Sequence, residues 1–316
     1  MKNLKFSQIA LSALAIVIVI VVVLVYVRYR GDIQKAQTRL QHIDSKVLDT
    51  ACGKIEYATY GDGFPVLAVH GIFGGHDQGL VLARGQIGKQ FRSIVPSRFG
   101  YLGTPMPEDA TPAEQADAFA CLLDALEIDQ AAILATSAGG TFAIQFALRH
   151  PDHCAALVLV SSNAPGEVEV GLPPKPVAKF MFRSDFIFWL LTTHFPSSMH
   201  SIMGVPGDFD MTPAFEEEMA GVMETLLPVH ARAEGALFDM YVSNPAINDG
   251  YPLGEISVPT LVIHAVDDPL ANYENAGTMA DQIPDANMIT IESGGHPLLG
   301  HEDKIRSAIN EFLDQS

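Results

Sequence analysis

The first 45 residues differ in pattern from the rest of the chain. Residues 9–27 read IALSALAIVIVIVVVLVYV, in which no side chain is charged and Ser12 is clearly polar. A helix needs about 20 such residues to cross the apolar core of a bilayer, and this run is apolar on every face. The pattern predicts a membrane anchor in residues 1–30, spanning at about 9–27. Residues 31–45 follow as a polar stalk or short helix.

The flanks of the apolar run bear on processing and orientation. The run is longer than the core of an ordinary signal peptide, and no small-x-small cleavage site follows it. Basic residues lie on both of its sides, and their numbers nearly balance. The positive-inside rule therefore leaves the side of the membrane open. These flanking bases are Lys2, Lys5, Arg28, Arg30, Lys35 and Arg39.

From residue 46 onward, short apolar runs alternate with amphipathic ones. The runs predict strands at 54–60, 66–69, 93–96, 131–135, 156–160, 260–265 and 288–291. Helical spacing of apolar residues predicts helices at 112–127, 140–149 and 303–313. Short, almost wholly apolar strands between helices indicate a mostly parallel central sheet with helices on both faces. We therefore expect one α/β domain over residues 46–316.

Residues 163–251 interrupt this alternation. The segment contains the aromatic run KFMFRSDFIFWLL at 179–191 and a second helical stretch at 214–227. A segment of this length between two strands predicts an inserted helical cap. Its aromatic side chains are expected to pack the cap on the main domain, and at least one to line an apolar acyl pocket. The aromatic side chains are Phe180, Phe182, Phe186, Phe188 and Trp189.

Charge and cysteine content narrow the function classes. The 316 residues carry a formal net charge of −18. Residues 1–40 hold six of the 19 basic residues and one of the 37 acidic ones, which leaves 13 − 36 = −23 for residues 41–316. An acidic domain argues against a nucleic-acid partner, because phosphate contacts need clustered Lys and Arg. Three distant cysteines predict neither a disulfide framework nor a zinc site. They are Cys52, Cys121 and Cys154.

A candidate nucleophile follows the strand at 131–135. Residues 135–140 read ATSAGG, a small-x-Ser-x-Gly pattern between a predicted strand and a predicted helix. A sharp strand-to-helix turn needs small neighbours and raises its central side chain above the end of the sheet. Ser137 occupies that central position. Its alternative interpretation is an ordinary helix N-cap.

A serine hydroxyl needs a base, and the base needs an orienting carboxylate. His296 lies in the loop SGGHP at 293–297, after the last predicted strand. His301 is its nearest rival, although it falls at a helix start. Asp268 follows the strand at 260–265, and Asp267 is the rival carboxylate, so the choice between them depends on register.

An oxyanion hole needs two preorganised N–H donors. The residue after the nucleophile, Ala138, supplies one donor. The second is expected from the glycine-rich loop HGIFGG at 70–75, and we assign it to Ile72. His70 is expected to brace this loop rather than to act as a base. No cofactor is implied, and no metal ligands are assigned.

Taken in order, these segments resemble the α/β-hydrolase superfamily over about residues 50–314. Each piece alone matches the family pattern only weakly, but the order and the spacing of the pieces both match it. The matching pieces are VLAVHGIFGG (66–75), PSRFGYLGTP (96–105), ATSAGG (135–140), ALRHPDHCAALVLVSS (147–162), VPTLVIHAVDD (258–268) and SGGH (293–296).

The resemblance implies an α/β-hydrolase fold. It also places the acid on Asp268, four residues after His264, which lies at the end of the predicted strand at 260–265. Two positions depart from the family pattern: Ser97-Arg98 replaces the usual Asp of the PDxxGxG loop, and Ala265 replaces the usual Gly. Neither change removes a catalytic group. A serine at position 137 excludes the dehalogenase and epoxide-hydrolase branches, whose nucleophile is Asp.

The leading functional hypothesis is a membrane-anchored serine hydrolase that cleaves carboxylic esters, with lipid-like acyl substrates favoured by the anchor. A C–C bond hydrolase of dienone acids or a thioesterase would use the same triad. A C–C hydrolase would need an arginine for the substrate carboxylate, from Arg98, Arg183 or Arg232. A catalytically silent scaffold is the third hypothesis. The sequence leaves the substrate groups and the oligomeric state open.

Overall fold

Residues 1–42 and 43–316 form two separate units in the computed structural model, which describes residues 2–167 and 171–315. The first unit contains helix α1, Lys2–Gln41. Its part from Gln8 to Gln41 is long and apolar enough to cross a membrane. The helix continues through residues 31–41, so this portion of the expected stalk or short helix is helical.

An eight-stranded sheet forms the centre of the second unit, in the order β1-β2-β4-β3-β5-β6-β7-β8. The first two pairings, β1 with β2 and β2 with β4, are antiparallel, and the other pairings are parallel. Seven strands lie within two residues of their predicted positions, while β1 was not predicted. The strands are β1 Ser45–Thr50, β2 Gly53–Tyr60, β3 Pro65–Val69, β4 Arg92–Pro96, β5 Ala131–Thr136, β6 Cys154–Val160, β7 Thr260–Ala265 and β8 Ala286–Ile291.

Helices cover both faces of this sheet, and a second group of helices forms the inserted segment. The helices on the sheet are α2 His76–Leu82, α3 Pro112–Ala125 and α4 Gly140–Arg149. The inserted segment holds α5 Lys175–Phe182, α6 Asp185–His194, α7 Pro196–Ile202, α8 Pro213–Thr225, α9 Ala233–Phe238 and α10 Asn244–Ala246. The last two are α11 Tyr273–Gln282 and α12 Glu302–Leu313. The aromatic run is divided between α5 and α6, and the Ser184 side chain caps the start of α6.

The sheet separates two hydrophobic cores, because successive side chains of a strand point to opposite faces. On β5, Ile133 contributes to one core and Leu134 to the other. The first core includes side chains of α3, α4 and α11, and the second includes side chains of α2 and α12. The predicted α/β fold with a mostly parallel, doubly covered sheet is confirmed.

The expectation that the cysteines form no disulfide was wrong. Cys52, in the turn between β1 and β2, is bonded to Cys121 in α3, and their Cα atoms are 5.9 Å apart. Cys154 is free and buried. The two partners are 69 residues apart in sequence. Only the packing of α3 against the first hairpin brings them together, so spacing along the chain did not indicate the pair.

Candidate active site

Ser137 lies directly after β5, at the carboxyl end of the sheet, and its backbone φ is +52°. This left-handed conformation is unfavourable for a residue with a Cβ and is found where a sharp turn requires it. Two residues on, a Cβ at Gly139 would lie 2.9 Å from the carbonyl oxygens of Val69 and His70. Only glycine allows β3 to approach this closely. The turn from β5 into α4 therefore has the strained geometry that the ATSAGG pattern predicts.

His296 connects Ser137 to Asp268. Its Nε2 lies 2.8 Å from the Ser137 Oγ, and its Nδ1 lies 2.8 Å from the Asp268 Oδ2. A carboxylate only accepts hydrogen bonds, so Nδ1 carries the ring proton and Nε2 is left to accept from the serine hydroxyl. The structure thus brings together three residues that are distant in sequence, in the hydrogen-bonded order Ser–His–Asp.

Asp268 is held as an anion. Its Oδ1 accepts the backbone N–H groups of Leu270 at 2.8 Å and Ala271 at 3.0 Å. Burial by itself would raise the pKa of Asp268, but the charge of His296 and hydrogen bonds from His264, His296 and Ala271 together hold this pKa well below its usual range. The carboxylate can therefore stabilise a positive charge on the His296 ring.

Asp267, the rival carboxylate, has a different set of contacts. It accepts the backbone N–H of Gly294 at 3.1 Å and of Gly295 at 2.9 Å. One acid therefore contacts the His296 ring, and its neighbour holds the loop that carries that ring. Sequence reasoning chose Asp268 as the acid, treated Asp267 only as its rival, and missed the contact of Asp267 with the loop. His301 lies at the N-terminus of α12, outside this network.

The loop after β3 passes beside the nucleophile. A Cβ at Gly71 would lie 3.0 Å from the Ser137 Cβ. The Gly71 carbonyl accepts three hydrogen bonds, from the His70 Nδ1 at 2.7 Å, the Arg98 Nη2 at 2.9 Å and the backbone N–H of Gly74 at 3.3 Å. In a trans peptide the N–H points opposite to the C=O. The N–H of Ile72 is therefore turned away from Arg98 by a peptide plane that is clamped on its carbonyl side.

His70 has both ring nitrogens occupied. Its Nδ1 donates to the Gly71 carbonyl, and its Nε2 accepts the backbone N–H of Arg98 at 3.1 Å. Burial, and then the charge of Arg98, lower the pKa of His70 well below its usual value. The neutral imidazole braces the loop, as expected, and has no nitrogen left to serve as a base.

Two buried Arg–Asp pairs connect this region to the inserted segment. Arg98 donates to both carboxylate oxygens of Asp239, at 2.7 and 2.6 Å, and the Tyr101 hydroxyl donates to the same carboxylate at 2.5 Å. Arg232 donates to Asp77 at 3.0 and 2.7 Å and also to the Gly74 carbonyl. The pairs are separated by 141 and 155 residues in sequence, and no motif indicated either.

The inserted segment covers the loop and the histidine, as a cap does. Phe73 packs edge-on against Phe182 of α5, with ring centroids 4.8 Å apart, and also contacts Phe188 of α6 at 5.5 Å. The carbonyl of Gly204 accepts the backbone N–H of His296 at 2.9 Å. These aromatic rings therefore pack the cap against the loop after β3, as the simpler interpretation of the aromatic run proposed.

Within the described part of the chain, no group of three or more His, Cys, Asp or Glu side chains is placed to hold a metal ion. The arrangement at the sheet edge instead combines a hydroxyl, an imidazole, a carboxylate and backbone N–H donors. Such a set can carry out acyl transfer through a serine nucleophile.

Comparisons with known proteins identify the fold family of the chain. A family model described as the alpha/beta hydrolase fold matches residues 65–219, and one described as a TAP-like protein matches residues 243–316. The 2-hydroxymuconate semialdehyde hydrolase of Pseudomonas sp. (strain CF600) is 26% identical over 269 residues, covering 81% of this chain and 89% of its own.

Two solved structures are similar over most of the chain. An alpha/beta hydrolase fold protein from Nakamurella multipartita is 28% identical with a TM-score of 0.69, covering 85% of this chain and 99% of its own. A thermophilic esterase from Thermogutta terrifontis is 25% identical with a TM-score of 0.62, covering 86% and 98%. The sheet topology, the cap and these matches together show that the chain belongs to the α/β-hydrolase superfamily and is a hydrolase.

Proposed function

We propose that the protein is a membrane-anchored serine hydrolase that cleaves carboxylic esters. The observation that carries this proposal is the hydrogen-bonded chain from Ser137 through His296 to Asp268, with both of its distances at 2.8 Å. The chain lies beside a loop whose Gly71 peptide is clamped on its carbonyl side. Nucleophile, base and orienting acid thus stand in the order that acyl transfer requires.

In the proposed reaction, His296 Nε2 takes the proton of Ser137 as the Oγ attacks the acyl carbon. The N–H groups of Ile72 and Ala138 donate to the developing oxyanion. The C–O bond to the alcohol then breaks, and the alcohol leaves with the proton from His296. Water, activated by the same ring, attacks the acyl-enzyme, which releases the acid and restores Ser137.

Ester substrates are favoured over dienone acids, because the buried arginines already have ion-pair partners within the chain. A dienone acid carries a carboxylate that a buried arginine would have to bind. Arg98 and Arg232 are both buried and both already paired with aspartates of this chain. Arg183 is exposed at the end of α5. C–C hydrolysis remains the second candidate, because the Pseudomonas relative is named for that class of substrate.

The anchor and its orientation are part of the proposal. Helix α1 supports a single N-terminal span by its length and composition. The Cys52–Cys121 disulfide supports a catalytic domain on the oxidising side of that membrane, because disulfides seldom persist in a reducing cytosol. A C-terminal reporter that is active only outside the cytoplasm tests this orientation, and an inactive but well-expressed fusion would reverse it.

The decisive experiment uses the full chain in detergent micelles with p-nitrophenyl esters of increasing acyl length. The Ser137→Ala variant is the control for nonenzymatic turnover. We expect serine-dependent hydrolysis and labelling of Ser137 by a fluorophosphonate. Turnover of a dienone acid without turnover of any ester would establish the second candidate. A well-folded protein that neither turns over nor is labelled would be a silent scaffold, which contradicts the proposal.

A further inference from the structure

The cap carries most of the large apolar side chains that the second unit exposes. In the described part of residues 43–316, eleven such side chains are exposed, and six of them lie within the 31 positions from 172 to 202. Of these eleven side chains, Phe180 is the most exposed, at 66%. The six are Leu172, Val177, Phe180, Phe186, Phe195 and Ile202, which we call the cap surface.

The same stretch is unusual in its charge. Between Glu169 and Asp208 the sequence contains three basic residues and one acidic residue, a net of 3 − 1 = +2. Residues 41–316 as a whole have a net of −23. The single acid, Asp185, is largely buried and accepts hydrogen bonds from His230, at 3.0 Å from its backbone N and 2.6 Å from its Nδ1. The stretch of chain that carries the cap surface is therefore basic, while the rest of the domain is acidic.

The outward side of helix α5 carries both the exposed apolar side chains and the basic ones. Ala178 and Phe182 are buried, and Phe182 contacts Phe73 of the loop beside Ser137. Lys175, Lys179 and Arg183 recur every four residues and form one exposed stripe, because this spacing keeps side chains on one face of a helix. Val177 and Phe180 form a second exposed stripe beside it. The inner side of α5 thus contacts the loop, while its outer side presents basic and aromatic groups.

We infer that the cap surface docks on a lipid bilayer that contains anionic lipids, and that it brings the candidate active site to esters embedded in that bilayer. The inference rests on the proposed function for the anchor and for the ester reaction. Exposed aromatic and aliphatic side chains next to Lys and Arg are the pattern of helices that lie in a membrane interface.

Two features of the chain favour a bilayer as the occupant. The net charge of +2 on residues 170–207 complements an anionic lipid surface, whereas the rest of the domain, with a net of −25, is repelled by one. The apolar run ends at residue 27, and 17 residues precede β1 at Ser45. Helix α1 continues to Gln41, so most of these residues are helical and the segment spans about 25 Å. A linker of this length keeps an anchored domain near the membrane.

The test reconstitutes the full chain in phosphatidylcholine vesicles, with and without phosphatidylglycerol. Two substrates are compared, a water-soluble short-chain p-nitrophenyl ester and a long-chain ester dissolved in the bilayer. In anionic vesicles we expect the double variant Lys179→Glu with Arg183→Glu, and separately Phe180→Ser, to lower turnover of the embedded ester at least about fivefold. Turnover of the soluble ester should stay within about twofold, and added salt should weaken the wild-type advantage.

Matched controls lie on β1, where Val47 is 56% exposed. Val47→Ser and Lys46→Glu make the same kinds of change away from the cap and should leave both rates unchanged. Equal embedded-ester rates in wild type and cap variants, or equal losses in the β1 controls, would overturn the inference. A Phe180→Ser variant that changes the oligomeric state would assign the cap surface to contact between copies of the chain, which also overturns it.

A second readout does not depend on activity. The Phe180→Trp variant places an indole on the cap surface, while the natural Trp189 is only 1% exposed. Brominated lipids in anionic vesicles should quench the fluorescence of this variant more than that of wild type. Quenching without any ester turnover would leave docking intact and reject the proposed reaction. Ester turnover without extra quenching would leave the proposed reaction intact and reject docking.

Discussion

The sheet side and the cap side of the candidate site differ in how the chain builds them. On the sheet side, each group with a proposed chemical role lies in a loop that follows a strand: Ile72 after β3, Ser137 after β5, Asp268 after β7 and His296 after β8. On the cap side, the contacts to this machinery come from residues outside the catalytic motifs. They are Phe182, Phe188, Gly204, Arg232 and Asp239.

This difference separates chemistry from positioning. The carboxyl ends of parallel strands share one edge of a sheet, so short loops there bring reacting groups together with little dependence on the rest of the chain. The cap acts on the same groups through packing and buried ion pairs. Changes on the sheet side should therefore remove the reaction, whereas changes on the cap side should weaken it.

The largest expected effect removes the nucleophile or its base. Ser137→Ala and His296→Ala should each lower kcat by at least about 10³-fold, because each deletes a group that bonds or transfers a proton in the reaction. Steady-state kinetics on a p-nitrophenyl ester measure the loss, and circular dichroism checks the fold. His301→Ala is the matched histidine control and should keep wild-type activity. A near-normal rate in either site variant would reject the assignment.

Next comes the comparison of the two adjacent acids. Asp268→Asn should lower kcat about 10³-fold, because the anion that orients and stabilises the His296 ring is lost. Asp267→Asn removes only the charge of the carboxylate that accepts the backbone N–H groups of Gly294 and Gly295. It should lower kcat about 10-fold, the size expected of a group that acts through another. Equal losses in the two variants would contradict the distinct roles given to them.

A smaller effect than the loss of Asp268 is expected from Arg98, which follows β4, pairs with Asp239 of the cap and clamps the loop after β3. Arg98→Lys keeps the charge beside Asp239 but loses the planar fork that also reaches the carbonyls of His70 and Gly71. We expect kcat to fall about 10-fold with KM changed less than about twofold, because the loop donor matters most in the transition state. A loss confined to KM, or to thermal stability, would show that the clamp does not act on the oxyanion.

The Arg98 and Asp239 charges are also coupled in stability. Asp239→Asn leaves a buried guanidinium without its counter-charge and should lower the free energy of unfolding by about 3–5 kcal/mol. Replacing both residues together, Arg98→Met with Asp239→Leu, should recover part of that loss. Urea unfolding of the single and double variants measures the coupling. Changes in the free energy of unfolding that are strictly additive between the single and double variants would argue against this coupling.

The smallest effect is a pH dependence of stability from His70. Because the folded-state pKa of His70 lies below its unfolded value, the unfolded chain binds a proton that the folded chain does not as pH falls below about 6.5. Stability should then fall by up to about 1.4 kcal/mol per pH unit until the folded-state pKa is reached. His70→Asn should flatten this part of the urea-unfolding profile, and an unchanged slope would contradict the buried neutral form.

Much of the fold was predictable because its signals are local. The seven predicted strands are apolar runs bounded by turns, and a run of this kind has few ways to be buried. The Ser137 turn was visible because its strain requires small neighbours, and the His296 loop because of its flanking glycines. The hairpin strand β1 was missed, since it alternates half-buried and exposed residues and resembles the polar stalk before it.

By itself, the sequence determined the fold class, the position of the cap and the loops in which the candidate groups lie. The tertiary structure alone decided that Asp267 holds the loop of His296, that Cys52 pairs with Cys121, and that Arg98 and Arg232 are already paired. The reason is range. Strands, turns and helix faces depend on neighbours within a few residues, whereas a disulfide or a buried ion pair depends on which distant elements pack together, and no local pattern records that choice.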